Sequence, residues 1–297
     1  MQDKTRGILE MTGAMLISGT IGAFVVGSGQ PVLHVVFWRC VFGFIALLAV
    51  CAAMGLFRPG MLTRRQLVIA VLGGVAIVLN WLLLFAAYGH ASIAVATAVY
   101  NTQPFMLVGL GVVFLGERLT AARLAWLGIA FGGVLLVLQG RPGSAAPGGD
   151  YLVGIALALG AAFFYALAAL AAKALRGVKP HLIALIHVAV GIVMLAPFGA
   201  LSALPTGSES WSILLTLGLV HTGAMYILLY GALQRLPTPV AGALSFLYPL
   251  MALAVDIVWF GREFGAVQLA GMATILFGAA GMTLGWTSLR VAGRRAV

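Results

Sequence analysis

The sequence predicts an all-α membrane protein, with ten transmembrane helices in two inverted five-helix repeats. Three observations carry that expectation. The 297 residues are 62% hydrophobic and only 8% charged, with a mean hydropathy of +1.11, whereas soluble domains carry about 25% charged residues. Apolar runs long enough to cross a hydrocarbon core about 30 Å thick recur along the whole chain. One phrase, "YNTQPFMLVGLGVVFLGERLTAARLAWLG" from residue 100, returns 145 residues later as "SFLYPLMALAVDIVWFGREFGAVQLAGMA".

In order, the runs cover 8–28, 33–54, 67–88, 93–115, 121–138, 151–174, 181–200, 211–233, 239–260 and 266–286. The first lacks a convincing A-x-A cleavage site and reads as a retained helix. The second holds Cys40 and Cys51, too far apart to pair along one helix at about 1.5 Å per residue. The fourth and ninth carry mid-span prolines, Pro104 and Pro249, each of which removes a backbone bond and kinks its helix. The fifth, with "GIAFGG", is rich in small residues that let helices approach closely. The gaps between runs are too short for a soluble catalytic domain. No HExxH, Walker loop, G-x-S-x-G or metal-spaced Cys/His set occurs, so neither an enzyme nor a cofactor or metal is expected.

The net charge of +10 serves topology rather than nucleic acid. With a cytosolic N-terminus, fourteen Lys and Arg fall in inner loops and two, Arg141 and Arg262, in outer ones. That bias fixes both termini in the cytosol.

The 145-residue offset runs without a gap from Leu67–Leu138 onto Ser212–Thr283, with roughly eleven identities in the last 45 positions. The chain therefore divides into a first repeat (1–140), a periplasmic linker (141–150) inside "QGRPGSAAPGGD", and a second repeat (151–297). Five crossings are odd in number, so the second repeat starts on the opposite side and is inverted. Inverted copies place a pseudo-two-fold axis in the membrane plane, with a pathway between the halves that opens to each face in turn.

Ten helices in two halves, Arg39 in the second run, "FLGERLT" after the fourth and "FGREFG" after the ninth resemble the drug/metabolite transporter superfamily of EamA type. Within it, the likeness is greatest to the YddG-type bacterial aromatic amino-acid exporters. The resemblance implies the fold and a transport function over essentially the whole chain, and a structural role for Arg39. One departure is that Gly261-Arg262-Glu263 stands where the first half has Gly116-Glu117-Arg118, so the two knots cannot make identical contacts.

At 100° per residue, Thr97, Tyr100, Asn101, Pro104, Val108 and Gly111 share one face, copied by Gly242, Ser245, Phe246, Pro249, Leu253 and Asp256. Polar and aromatic groups gathered beside a proline suggest a cavity wall; interhelical hydrogen-bond glue is the alternative. Gln103 and Tyr248 flank that face. Asn80, Trp81 and Tyr226, then Phe164 and Tyr165, and Ser18 from the first run would complete a substrate-binding lining of flat apolar walls with a few hydrogen-bonding points. Packing or lipid contact is the competing role for any single aromatic.

Four charged or titratable candidates lie in the spans. Arg39, about 9 Å deep by helical rise, can meet a substrate carboxylate, pair with Asp256, or snorkel to the headgroups. Asp256 replaces a glycine of the other half and serves either an ion pair or proton coupling. Glu10 resembles the helix-1 acid that small multidrug exporters use for cations, yet sits shallow enough to stay wet. His221 can shuttle protons or stay neutral and hydrogen-bonded.

The function expected is export of amino acids with aromatic or other apolar side chains, or threonine or methionine, across the bacterial inner membrane. The same fold carrying organic cations or drugs is the alternative. The partners are the solute and the bilayer, not nucleic acid, and the sequence is compatible with a monomer. Reporter fusions test the topology: those after Leu56, Leu119 and Arg176 should report cytosol, and those near Gly89 and Gly148 the outside. A cytosolic signal at Gly148 would break the inverted-repeat argument.

Overall fold

A computed structural model describes residues 2–58, 60–90, 93–139, 151–198, 205, 207–260, 265–284 and 286. At some helical positions, Asp256 among them, the description stops at the backbone. Among these residues the regular structure is entirely helical. The first half contains α1 (Gln2–Ser18), α2 (Ile21–Gly27), α3 (Val32–Ala53), α4 (Arg64–His90), α5 (Ile93–Tyr100), α6 (Gln103–Leu115) and α7 (Ala121–Gln139). The second half contains α8 (Tyr151–Ala174), α9 (Pro180–Leu195) with a 3₁₀ turn Ala196–Phe198, and α10 (Ser208–Gly218). A π-helical turn, Leu219–Ala224, leads into α11 (Met225–Arg235), followed by α12 (Thr238–Ser245), α13 (Leu247–Phe260) and α14 (Ala266–Leu284).

Among the described residues, six stretches are long and apolar enough to span a bilayer: Gln2–Gly27, Val32–Ala53, Arg64–His90, Leu152–Ala174, Pro180–Phe198 and Ser208–Arg235. They meet six of the ten expected runs. Of the other four runs, the fifth and tenth are the continuous helices α7 and α14, and the fourth and ninth are each divided in two, α5 with α6 and α12 with α13. The interruptions follow from the prolines discussed below.

The repeat is visible in the element boundaries. Shifted by 145 residues, α5 becomes α12 and α7 becomes α14, end for end. Packing obeys the same exchange. Helix α4 lies on α8 as its counterpart α11 lies on α1; α6 lies on α8 as α13 lies on α1; and α3 and α7 each pack against their own counterparts, α9 and α14.

Helices α7 and α14 touch through glycines. A Cβ added at Gly133 would come 2.7 Å from Gly271 O and from Ile275 N, and one at its counterpart Gly278 would come 2.7 Å from Ala130 N. Backbone cannot step aside as a side chain can, so both halves keep glycine at the contact. Overpacking of this kind costs about 1–3 kcal/mol. Gly278→Leu should lower the thermal midpoint of the detergent-solubilised protein by several degrees. Gly132→Ala, where a Cβ meets nothing within 4 Å, should leave it unchanged; equal effects would show that the α7–α14 contact is not the close one.

Candidate functional site

A helix interrupted in hydrocarbon leaves backbone groups that water cannot reach, and polar side chains gather at the breaks of this bundle, adding bonds to carbonyls there. Between α1 and α2, Thr20 Oγ1 donates to Ile17 O at 2.7 Å. Pro104 is the second residue of α6, and its ring would collide with the carbonyl of Tyr100 four residues back in a continuous helix. The chain therefore breaks at Asn101–Thr102, where Thr102 Oγ1 donates to Val99 O at 2.7 Å and Asn101 Nδ2 to Thr97 O at 2.8 Å. Pro249 stands in the same relation to Ser245, and the break falls at Phe246, with Ser245 Oγ donating to Ala241 O at 2.9 Å. The expected proline kinks are thus breaks placed two or three residues upstream. In the π turn, Thr222 Oγ1 donates to Leu217 O at 2.8 Å.

These interruptions border a common cavity that is partly open to its surroundings. Four pairs of positions 145 residues apart line it with both members: Asn80 and Met225, Trp81 and Tyr226, Leu84 and Leu229, Gln103 and Tyr248. Trp81 Nε1 donates to Tyr226 Oη at 2.8 Å, their rings 5.5 Å apart. This contact joins counterpart positions of the two halves, so the cavity lies where the halves meet. Asn80 Nδ2 donates to Tyr100 Oη at 3.2 Å and to Ala161 O at 2.8 Å. Tyr88, Tyr100, Tyr165, Tyr226 and Tyr248 give the walls their flat, weakly polar character.

Arg39 also lines this space and is 0% exposed. Its Nε donates to Thr222 Oγ1 at 3.0 Å and its Nη2 to His221 O at 3.2 Å, both in the π turn. Its guanidinium carbon lies 4.2 Å from the Trp81 ring centroid and 5.7 Å from that of Phe85, an arrangement in which the ring quadrupole attracts the cation. Nη1 has no hydrogen-bond partner among the described residues, and no carboxylate there forms an ion pair with Arg39. Snorkelling is therefore overturned: α4 and the π turn cover the side chain. The Asp256 side chain, and with it the Arg39–Asp256 pair, lies outside the described residues, as do Arg262 and Glu263.

The structure gathers Ser18, Arg39, Asn80, Trp81, Tyr100, Tyr165, Tyr226 and Tyr248 around the cavity, together with Gln103. Other candidates sit elsewhere. Asn101 and Ser245 are buried and bonded within their own helices. Thr97 is buried and interacts with Tyr88. Phe246 is buried in a ring cluster, 6.4 Å from Phe105 and 6.3 Å from Phe131. Phe164 neighbours Phe163 at 5.8 Å. His221 Nε2 lies 2.6 Å from Thr20 Oγ1, with its ring against Phe24.

Among the described residues, most of the polar face read from the fourth and ninth runs is therefore packed against protein, with Asn101 and Ser245 bonded along their own helices and not across to another. Packing explains why: a Cβ at Gly111 would lie 2.7 Å from Thr238 Oγ1, and one at Gly242 3.3 Å from Pro104 Cβ, so that face is filled by the other half. The sequence reading missed Leu84 and Tyr88. Their signal was present, since they follow Asn80 at four-residue intervals on one face of α4.

At one end of the bundle, ion pairs join the halves. Gly116 ends α6 with a φ of 65°, and Glu117 follows. Its Oε2 accepts from Thr238 N at 3.0 Å and from the Thr238 hydroxyl, while Oε1 lies 3.2 Å from Lys173 Nζ. Lys173 also donates to Leu236 O. Burial pushes the Glu117 carboxyl up, but the Thr238 hydroxyl, Lys173 and the Thr238 N–H together hold it below the usual carboxylate range. Glu10 pairs with Arg6 at 2.9 Å and Arg235 at 2.7 Å, away from the cavity lining.

The sequence profile of the EamA-like transporter family matches the chain twice, over residues 5–139 and 152–284, once in each repeat. The chain is 29% identical over 282 residues to the "Uncharacterized transporter YxxF" of Bacillus subtilis, covering 94% of this chain and 90% of the relative. It is 30% identical over 264 residues to a "Probable terminal-alkyne amino-acid exporter" of Streptantibioticus cattleyicolor, covering 84% and 82%. It is 23% identical over 278 residues to "Protein RarD" of Escherichia coli K12, covering 91% of each. A solved crystal structure superposes with a TM-score of 0.81 at 21% identity, over 97% of this chain and 99% of that one, a likeness of fold. With one family match on each repeat and apolar spans throughout, the chain belongs to the EamA-like transporter family and is a multi-pass membrane transporter.

Proposed function

We propose that the protein exports amino acids with aromatic or other apolar side chains across the bacterial inner membrane, by alternating access between two inverted halves. One observation carries the cargo: the cavity where the halves meet contains a buried cation, Arg39, and among the described residues no carboxylate lines it. A cationic solute dehydrated there would meet a like charge in a medium of low dielectric constant. A zwitterion brings its own carboxylate, and the tyrosine and leucine walls suit an apolar side chain. A relative named as a probable amino-acid exporter is consistent with this. Organic cations, the alternative cargo, would depend on Asp256 and Glu10. Glu10 is already paired with two arginines.

The positive-inside bias makes the end bearing Glu117, Lys173, Glu10 and Arg235 cytoplasmic, with both termini on that side. Cavity residues lie in the outer half of α3 and toward the outer end of α4. The described conformation then faces outward, with the cytoplasmic end held shut by ion pairs between the halves. Export requires those pairs to part when the site opens to the cytosol. The repeat does not copy the latch: shifted by 145 residues, Arg235 corresponds to His90, Thr238 to Ile93 and Glu117 to Arg262.

Two predictions follow from cargo and latch. In proteoliposome counterflow with labelled amino acids against a cationic dye, the amino acids should exchange, and Asp256→Asn with Glu10→Gln should spare that exchange provided the variant inserts. Loss of exchange in a well-folded double variant would sink the zwitterion site unless coupling runs through these acids, which a pH-independent wild-type rate would exclude.

Glu117→Gln should lower the thermal midpoint at pH 7 by several degrees, in keeping with about 1.5–3 kcal/mol for a charge-assisted bond. A depressed carboxylate stabilises the folded state fully above its unfolded pKa, and the contribution is lost as pH falls through the lower folded value. The gap between wild type and variant should therefore begin to narrow near the ordinary carboxylate range and close only once pH has fallen through the depressed folded value; a gap that never narrows as pH falls would assign the effect to packing.

A further inference from the structure

We infer that Arg39 and Gln103 read the two poles of a free α-amino acid, the guanidinium Nη1 taking the carboxylate and the amide Oε1 the ammonium. This assignment rests on the amino-acid reading above and deepens it from a cargo class to a recognised chemical group.

Buried polar atoms are nearly always hydrogen-bonded, so each exception calls for an explanation. Among the described residues, the buried side-chain N and O atoms without a partner are Trp38 Nε1, Arg39 Nη1, Asn101 Oδ1, Gln103 Oε1, His181 Nδ1 and His187 Nε2. Of their residues, two line the cavity, Arg39 and Gln103. Both are almost fully buried, 0% and 3% exposed. Their needs are opposite: one is a cationic donor, the other a neutral acceptor. A carboxylate and an ammonium on one α-carbon supply what each lacks.

The donor is held in advance. Thr222 Oγ1 and His221 O engage Nε and Nη2, and the Trp81 ring lies against the guanidinium. A planar fork fixed in this way loses little rotamer freedom on binding. The acceptor opens α6, the half-helix that begins at Gln103 after the break above Pro104.

Both residues depart from the two-fold pattern of the cavity. Gln103 faces Tyr248 across the repeat, and the counterpart of Arg39 falls in the apolar stretch Ala184–Ile186 of α9. A symmetric cavity would bind an asymmetric solute in two orientations. Placing a donor and an acceptor off the symmetry selects one of them. Recognition of the α-carbon substituents, with the side chain left against tyrosine and leucine walls, admits several apolar amino acids and excludes amines, simple carboxylates and N-acylated derivatives.

The test is counterflow of labelled L-phenylalanine, L-leucine and L-methionine in proteoliposomes containing the full chain. Competitors are unlabelled L-phenylalanine, phenethylamine, hydrocinnamate and N-acetyl-L-phenylalanine. Wild type should be inhibited by phenylalanine at concentrations at least tenfold below those needed of the other three. Arg39→Gln should abolish exchange, and Arg39→Lys should restore part of it. Because Arg39 is buried and also braces the π turn, Gln103→Leu provides a second arm. With the acceptor gone, phenylalanine should lose its advantage and hydrocinnamate should compete equally.

Phenethylamine competing as well as phenylalanine in the wild type overturns the assignment of Arg39. Undiminished discrimination in Gln103→Leu overturns that of Gln103. Exchange of the amino acids that no variant alters overturns the pole assignment while leaving the proposed cargo standing. Failure of all three amino acids to exchange overturns the cargo itself.

Discussion

Hydrocarbon offers no hydrogen-bond partner, and this constraint organises the molecule around its cavity. A continuous helix satisfies its own backbone; an interrupted one must find donors and acceptors among its neighbours. The four interruptions, at Gly19–Thr20, at Asn101–Thr102, in the Leu219–Ala224 turn and at Phe246, each have a Thr, Asn or Ser side chain that adds a hydrogen bond to a nearby carbonyl. Each also lies next to a residue that faces the cavity: Ser18, then Tyr100 and Gln103, then Met225, then Tyr248. Much of the polar chemistry in the bundle therefore serves to make irregular backbone tolerable, and irregular backbone is what makes room for a solute.

The repeat then decides where that room lies. The two halves, each matched once by the family profile, meet where some positions contact their own counterparts. Trp81 bonded to Tyr226 marks the cavity end of that relation, and the glycine contacts of α7 with α14 mark another. Symmetry is kept where it serves packing. It is abandoned at Arg39, at Gln103 and in the ion pairs of Glu117 and Glu10, where charged and hydrogen-bonding groups stand in one half without a like counterpart in the other. A buried guanidinium is costly unless held; the π turn holds this one, since both of its bonded nitrogens donate to residues within that turn. π-helical turns are rare and recur at functional sites, and this one couples the interruption of the eighth span to the cation of the second.

The sequence by itself determined the class of molecule, the apolar runs and the correspondence of the halves. Each depends on local quantities: apolar length, charge distribution and the spacing of matching residues. Part of the site was equally legible, because Asn80, Trp81, Tyr100, Tyr165, Tyr226 and Tyr248 are polar aromatic or amide residues in spans, and such residues seldom face lipid. Only the tertiary structure decided which polar faces look inward on space and which on protein. Thr97, Asn101, Ser245 and Phe246 share a helical face that periodicity presents as a lining. Thr238 filling the gap at Gly111 and Pro104 against Gly242 turn that face into a contact between helices. Periodicity reports that a face is buried; what buries it depends on residues more than a hundred positions away, whose placement comes from packing. The same holds for Arg39, whose depth the sequence indicated but whose burial required Trp81 from α4 and the π turn to close over it.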